Sequence, residues 1–425
     1  MLERLTYEQI FSRLVESAYT GSLHEEIRRL NPDNDARTGS LIQYASGGGA
    51  PDKVIFKVGA CRPGEDCGED HCQVACLFNA IERDEAGEVV IKDDYCVHCG
   101  DCIQVCPYDN LVDKKEFIPL MEVLRDRTVP VYAITAPALT GQFGQDVTMG
   151  KFRAALKRLG FYGMVEVALF ADILTLKEAL EFDIHVQKEG DFVLTSCCCP
   201  MWWGMIKKVY GQLIAHISPS ISPMIACGRS IKALHPEAKV VFIGPCIAKK
   251  AEAKEPEVKD AVDVVLTFRE MEQIFVATGI KPGEMPEDES DHSSRAGRIY
   301  ARTGGVSEAV KATLERLRPG RKIALKAVQA DGVAQCRKLL QDALDGKIEA
   351  NFYEGMGCGG GCVGGPKVLL DPARGTCCVN EYGAEAASAT PVDNEYVLGF
   401  LKKMGFAEID QLLEGEKSRM FKRKF

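Results

Sequence analysis

The chain has no long hydrophobic run, no surplus of basic charge and few histidines, and each shortage removes a class of function. Its longest mostly apolar stretch, Val129 to Leu139, is interrupted by Pro130 and Pro137 and falls short of the roughly 20 residues a membrane-spanning helix requires. The formal net charge is −9, so no basic excess is available to grip a phosphate backbone, and nucleic acid is not an expected partner. The seven histidines include no HxxxH pair, which argues against a helical catalytic zinc site. The opening segment, MLERLTYEQIFSRLVESAY, alternates charged and apolar side chains at helical spacing and contains no continuous apolar stretch of the secretory kind; a cytoplasmic location is expected.

What the chain does have is cysteine, 18 in 425 residues. In a reducing compartment these are not read as a disulfide scaffold, so sulfur-rich metal binding is the better interpretation. A chain this long is expected to fold as two or three packed units. Residues 1–50 read as a helical extension, with one or two amphipathic helices and an apolar stripe at Leu5, Ile10, Leu14 and Ala18. A glycine-rich break, Ser46 to Pro51, opens a cysteine-dense unit over residues 51–124. From 125 to 425, short apolar runs (VPVYAITA, FVLTSC, KVVFIGPC, DVVLTF) alternate with helical patterns such as GKFRAALKRLGF and PMIACGRSIKALH, an α/β arrangement in which the strand ends are the natural place for chemistry. The basic tail LEGEKSRMFKRKF is read as a solvated or docked terminus.

Cys96, Cys99, Cys102 and Cys106, followed by Pro107, form the C-x2-C-x2-C-x3-C-P run of bacterial ferredoxins. Cys61, Cys67, Cys72 and Cys76 supply a second quartet with stretched spacing. Eight thiolates suit two [4Fe-4S] clusters, and structural zinc knots are the competing reading. In two-cluster ferredoxins the fourth cysteine of each run serves the other cluster. Cys76 is therefore expected with Cys96, Cys99 and Cys102, and Cys106 with Cys61, Cys67 and Cys72.

Three further segments place cysteine in glycine- or proline-marked loops: Thr195-Ser196-Cys197-Cys198-Cys199-Pro200-Met201-Trp202, Gly244-Pro245-Cys246-Ile247-Ala248-Lys249-Lys250-Ala251-Glu252 and Glu354 to Cys362. One thiolate from each of the first two, with Cys358 and Cys362, makes a four-thiolate site assembled from distant parts of the chain. These loops closely resemble the TSCCPxW, PCxxKxxE and glycine-rich CxxxC signatures of the [FeFe]-hydrogenases, and the resemblance runs from about Val131 onward. It implies a two-lobed α/β H-cluster domain preceded by a ferredoxin-like domain with two [4Fe-4S] clusters. By that resemblance Cys199, Cys246, Cys358 and Cys362 hold the [4Fe-4S] part of the H-cluster, and Cys362 bridges to a diiron subsite carrying CO, cyanide and a dithiolate. Lys249 matches a cyanide contact, Met356 a methionine beside the diiron unit, and Ala136, Pro137 and Pro223 the pocket lining.

The same resemblance implies a proton relay from Cys198 through Glu178, Ser218 and Glu181; Glu178 and Glu181 are three residues apart and share a helix face. It also implies reversible conversion of protons and electrons to H2, ferredoxin or a similar small electron carrier as partner, and dedicated maturation proteins for the diiron subsite. A net-negative enzyme would need a local basic patch for an acidic ferredoxin, with Arg62, Lys92, Lys114 and Lys115 the candidates. Cys197 is an extra thiol, Gly244 and Met224 stand where methionine and glutamine are usual, Ala138 where serine is common, and His185 where an outer arginine is often seen. A hydrogen sensor and an iron-sulfur assembly scaffold of the same fold are the alternatives. Cys227, Cys336, Cys377 and Cys378 have no assigned role.

Overall fold

The computed structural model describes residues 5–61, 71–195, 198–288, 290, 292–347 and 349–423; Arg62, Cys67 and Cys197 lie outside them. The N-terminal extension forms three helices, not one or two: Tyr7–Thr20, Leu23–Leu30 and Ala36–Ala45. Thr6 and Gln9 close a capping box on the first, and Gly21 ends it in the left-handed conformation. Ile10, Leu14 and Ala18 are buried while Leu5 is only half-buried, at the end of the expected stripe.

The cysteine-dense unit is built on two small antiparallel pairs, Ile55–Lys57 with Leu111–Asp113 and Ile81–Arg83 with Val89–Ile91. With strands this short, the unit relies on what its loops hold and on what it packs against. It is pinned to the rest of the chain by Lys208, whose Nζ donates to the carbonyls of Asp93 and Cys96 at 2.9 and 2.8 Å, and by Val97 against Gly204.

Beyond residue 130 the chain forms two parallel sheets. One has four strands in the spatial order Gly163–Glu166, Val131–Thr135, Lys239–Gly244, Val264–Thr267. The other has three, Ala327–Asp331, Phe352–Met356 and Val193–Leu194. Each of the four apolar runs read from the sequence contains one of these strands. The helix Ala168–His185 is buried continuously from Ala168 to Phe182 and contributes side chains to both apolar cores. Such a helix must be apolar on all sides, and any polar residue on it must find a partner. The three cysteine loops leave the carboxyl ends of Val193–Leu194, Lys239–Gly244 and Phe352–Met356, so parallel strands from both lobes deliver them to one place. No helix among the described residues is long and apolar enough to cross a membrane.

Candidate metal centre and proton route

Two pockets separate the seven described N-terminal cysteines into sets. Cys76, Cys96, Cys99 and Cys102 line one, among Ile55, Phe78, Ile81 and Val97. Cys61, Cys72 and Cys106 line the other. Burial, reinforced by Cys96 and Cys76 nearby, pushes the Cys102 thiol up to about 12. Burial also raises Cys96 and Cys61, and each feels a cysteine of its own set, Cys76 and Cys106 respectively. Several thiols in apolar surroundings cannot all ionise without cationic compensation, which a metal cluster would supply.

The three later loops converge likewise. Cys358 is electrostatically coupled to Cys246, Cys199 and Cys362, and Cys362 to Cys199 and Cys246. Burial drives Cys246 up to about 11 and Cys362 to about 12. The backbone N–H of Gly357 donates to Cys199 Sγ at 3.3 Å. Trp202 fixes this loop pair: its indole N–H donates to Thr195 O at 2.8 Å, and its ring lies where a Cβ on Gly355 would sit, 2.0 Å away. Asp101, beside Cys99 and Cys102, acts electrostatically on Cys358, so the first set adjoins the central one. Among the described residues no group of three or more His, Cys, Asp and Glu is arranged to hold a single metal ion.

Next to Cys362 lies a small, almost wholly apolar pocket lined by Ala136, Pro137, Cys198, Pro223, Met224 and Lys249, with Phe242 and Tyr300 among the others. Burial works against the Lys249 charge, but Glu252, bonded to its Nζ at 2.6 Å, holds the ammonium above its ordinary range. Glu252 is held in turn by Arg423 Nη2 at 2.7 Å; the basic tail is docked, with Phe421 fully buried. Gly244, where methionine is usual, has the Phe242 ring 2.5 Å from the Cβ position, so that ring fills space a side chain would take. Met356 is buried at its strand end, outside this lining, its carbonyl accepting from Cys336 Sγ at 3.3 Å. Cys227 is buried, Cys377 exposed and Cys378 half-buried.

Glu178, Glu181, Ser218, Thr195 and His185 line a further cavity of ≈ 220 Å³. Ser218 Oγ donates to Glu181 Oε2 at 2.6 Å. Thr195 Oγ1 donates to Glu178 Oε2, tying the cysteine loop to the buried helix. Lys177 Nζ donates to Glu181 and, at 2.7 Å, to Ser220 Oγ. Thr195, Lys177 and Ser220 were not singled out from the sequence. The available signal was Lys177 itself, four residues before Glu181 in a helix otherwise apolar enough to be buried.

Of the described members of the expected basic patch, the two lysines at 114 and 115 are not at the surface. Lys115 is wholly buried between Glu8 and Asp113, Lys114 is buried, and Lys92 is paired with Glu82. A lysine stem is long enough to reach an internal partner, and charge counted along the sequence does not show where the ammonium ends.

Residues 129–366 match the family described as iron only hydrogenase large subunit, C-terminal domain, and residues 61–110 match a 4Fe-4S dicluster domain. The chain belongs to the iron-only hydrogenase family and is an iron-sulfur protein of the oxidoreductase class. Its α/β unit is of the [FeFe]-hydrogenase type, preceded by a ferredoxin-like 4Fe-4S unit. Among its relatives, the NADP-reducing hydrogenase subunit HndD of Solidesulfovibrio fructosivorans is 29% identical over 66% of this chain and 57% of that one. The periplasmic [Fe] hydrogenase large subunit of Nitratidesulfovibrio vulgaris is 27% identical over 68% of this chain and 88% of its own length. Iron hydrogenase 1 of Clostridium pasteurianum is 29% identical over 52% and 46%. The chain thus spans about half the length of two of these relatives. A solved apo [FeFe]-hydrogenase from Chlamydomonas reinhardtii superposes with a TM-score of 0.58 at 21% identity, covering 72% of this chain and 98% of that one.

Proposed function

We propose that the chain is a hydrogenase catalysing the reversible reaction of two protons and two electrons to H2, organised as a helical extension (1–50), a two-cluster relay (51–124) and a catalytic unit (125–425). The observation that carries this reading is the apolar pocket in which Cys198, Lys249, Pro137 and Pro223 stand beside Cys362 of the central cysteine set. A single buried cation in a pocket otherwise without charge suits a small anionic ligand such as cyanide. Cys199, Cys246, Cys358 and Cys362 would hold an H-cluster, whose diiron part supplies, when bound, the site where protons and electrons combine. Cys76, Cys96, Cys99 and Cys102 would hold the nearer [4Fe-4S] cluster, and Cys61, Cys67, Cys72 and Cys106 the farther one. Met356 would back the site from its strand end.

The protein's own task is then to hold the group, exclude water and move protons. The apolar lining from Ala136, Pro223 and Phe242 excludes water. Cys198 is the thiol that exchanges a proton at the pocket wall, and Glu178, Ser218 and Glu181 carry it outward, since a buried site can be served only by groups within hydrogen-bond reach of one another. A small ferredoxin-type carrier would supply electrons, and maturation proteins the diiron subsite. The same reading places the chain in the cytoplasm, where thiols stay reduced until clusters are built on them.

Hydrogen evolution from a reduced artificial donor tests the reading. The matured chain should turn over, and Cys198→Ala should lose roughly 10²–10⁴-fold in rate while keeping its iron content. A Cys198→Ala protein of unchanged rate would remove this thiol from the route.

A further inference from the structure

Lys177 is a charged group at the proton route that the hydrogenase reading does not use, and it is bonded directly to two members of that route's hydrogen-bond ring. It sits on the helix Ala168–His185 with its side chain wholly buried. Its Nζ donates both to Glu181 Oε1 and to Ser220 Oγ, the latter at 2.7 Å. Ser218 Oγ, fixed by the N–H of Ser220 at 3.2 Å, lies 2.6 Å from Glu181 Oε2 and 2.8 Å from Ser220 Oγ. Ser218 therefore has one hydroxyl proton and two acceptors, and Lys177 is bonded to both of them. An ammonium has three donors and no acceptor, so it can stabilise the carboxylate form of Glu181 and cannot take a hydrogen bond from the acid form.

We propose, resting on the hydrogenase reading, that Lys177 is a positioning residue of the proton route: by bonding both Glu181 and Ser220 it fixes the two acceptors toward which the Ser218 hydroxyl can turn. With Glu181 ionised, the Ser218 proton points at Oε2. When a proton leaves Ser218 for Glu181, the Ser218 O–H bond breaks and a Glu181 O–H bond forms, and Ser218 is made whole by the next proton arriving from the Glu178 side. In the opposite direction Glu181 returns its proton to Ser218, whose own proton moves on toward Glu178. While Glu181 is protonated, Ser220 Oγ is the alternative acceptor, held in place by Lys177. Other ionisable groups around the ring are Glu178, His185, Asp191 and His216 in the same cavity, and Lys422 and Glu414 of the C-terminal segment. Lys422 is lowered by its own burial and then by the charge of Lys177. That segment meets the ring through an antiparallel bridge between Ser220 and Lys422.

The test uses the matured, full-length chain and two variants, Lys177→Met and Lys177→Gln, the second keeping donor capacity without charge in case the first does not fold. Infrared difference titration follows the carboxylic-acid C=O stretch assigned to Glu181 by its loss in Glu181→Gln, and hydrogen evolution is recorded against pH. In both variants the acid form of Glu181 should persist to higher pH than in the wild type, because an ammonium in hydrogen-bond contact favours the carboxylate. Turnover near neutrality should fall roughly tenfold, with KM for the artificial donor unchanged and the pH profile shifted the same way; general acid–base groups contribute more than this when removed outright. Lys177→Arg should restore both. A Glu181 band that titrates in the folded variants as in the wild type would overturn the proposal. A wild-type chain without turnover would instead overturn the hydrogenase reading, and the Glu181 titration would still report on Lys177.

Discussion

At the scale of single residues, the site is held by close contacts that tolerate little change. Gly355 is the sharpest case, because an added methyl would meet the Trp202 ring at 2.0 Å and Trp202 is fully buried. Gly355→Ala should lower stability by about 1–3 kcal/mol through overpacking, read from the urea midpoint. An unchanged midpoint would mean that the Thr195–Trp202 loop can move aside. The cysteines were legible in the sequence because metal-binding thiols recur at short fixed spacings. Lys177 and Thr195 were not, because their significance lies in partners 43 and 17 residues away.

At the scale of elements, the helix Ala168–His185 of the α/β unit carries four buried ionisable side chains. Besides Lys177, Glu178 and Glu181 it carries Asp172, which accepts from the N–H groups of Ser294 and Gly297 at 2.6 and 2.9 Å. Burial, partly offset by these bonds, raises the Asp172 carboxyl from 3.8 to about 7. The folded state then binds a proton that the unfolded state has already lost between these values. The contribution of Asp172 is thus complete below about 4 and declines as pH rises toward 7. Asp172→Asn should flatten that part of the stability–pH curve, as measured by urea unfolding at a series of pH values; an unchanged slope would show that Asp172 is ionised throughout. Strand positions were readable from short apolar runs bounded by Gly, Pro or Cys. The helices Leu23–Leu30 and Ala36–Ala45 were not separable from the first, because the short polar breaks at Gly21 and around Pro32 resemble surface positions within one helical pattern.

At the scale of the whole molecule, one buried ionic cluster joins the three units. Asp113 of the relay faces Lys115, Lys250 of the PCxxK loop at 3.1 Å and Lys367 at 2.9 Å. Glu8 of the first helix holds Lys115 at 3.1 Å, and Glu270 holds Lys250 at 3.0 Å. Burial disfavours the Asp113 charge, but Lys115, Lys367 and Lys250 together hold its carboxyl well below the ordinary range. Asp113→Ala leaves three cations facing two carboxylates and should cost about 3–5 kcal/mol. For the wild type, the stability contributed by Asp113 should be lost as pH falls below about 4. Wild-type stability by urea unfolding that stays flat through that range would contradict the pairing. The same cluster explains why Lys115 offers no charge at the surface: its ammonium is used internally, between Glu8 of the helical extension and Asp113 of the cysteine-dense unit.

If the chain is a hydrogenase, the apolar pocket beside Cys362 receives a diiron group at which hydrogen turns over. The infrared spectrum of the chain purified without oxygen from a host making the maturation proteins, recorded beside a hydrogen-evolution assay, decides this. CO and cyanide bands accompanied by turnover are expected, with the cyanide bands shifted in Lys249→Met. Iron-sulfur absorbance without such bands, from a host that matures a control hydrogenase, would contradict the account in favour of an assembly scaffold. Bands with very slow turnover would contradict it in favour of a hydrogen sensor.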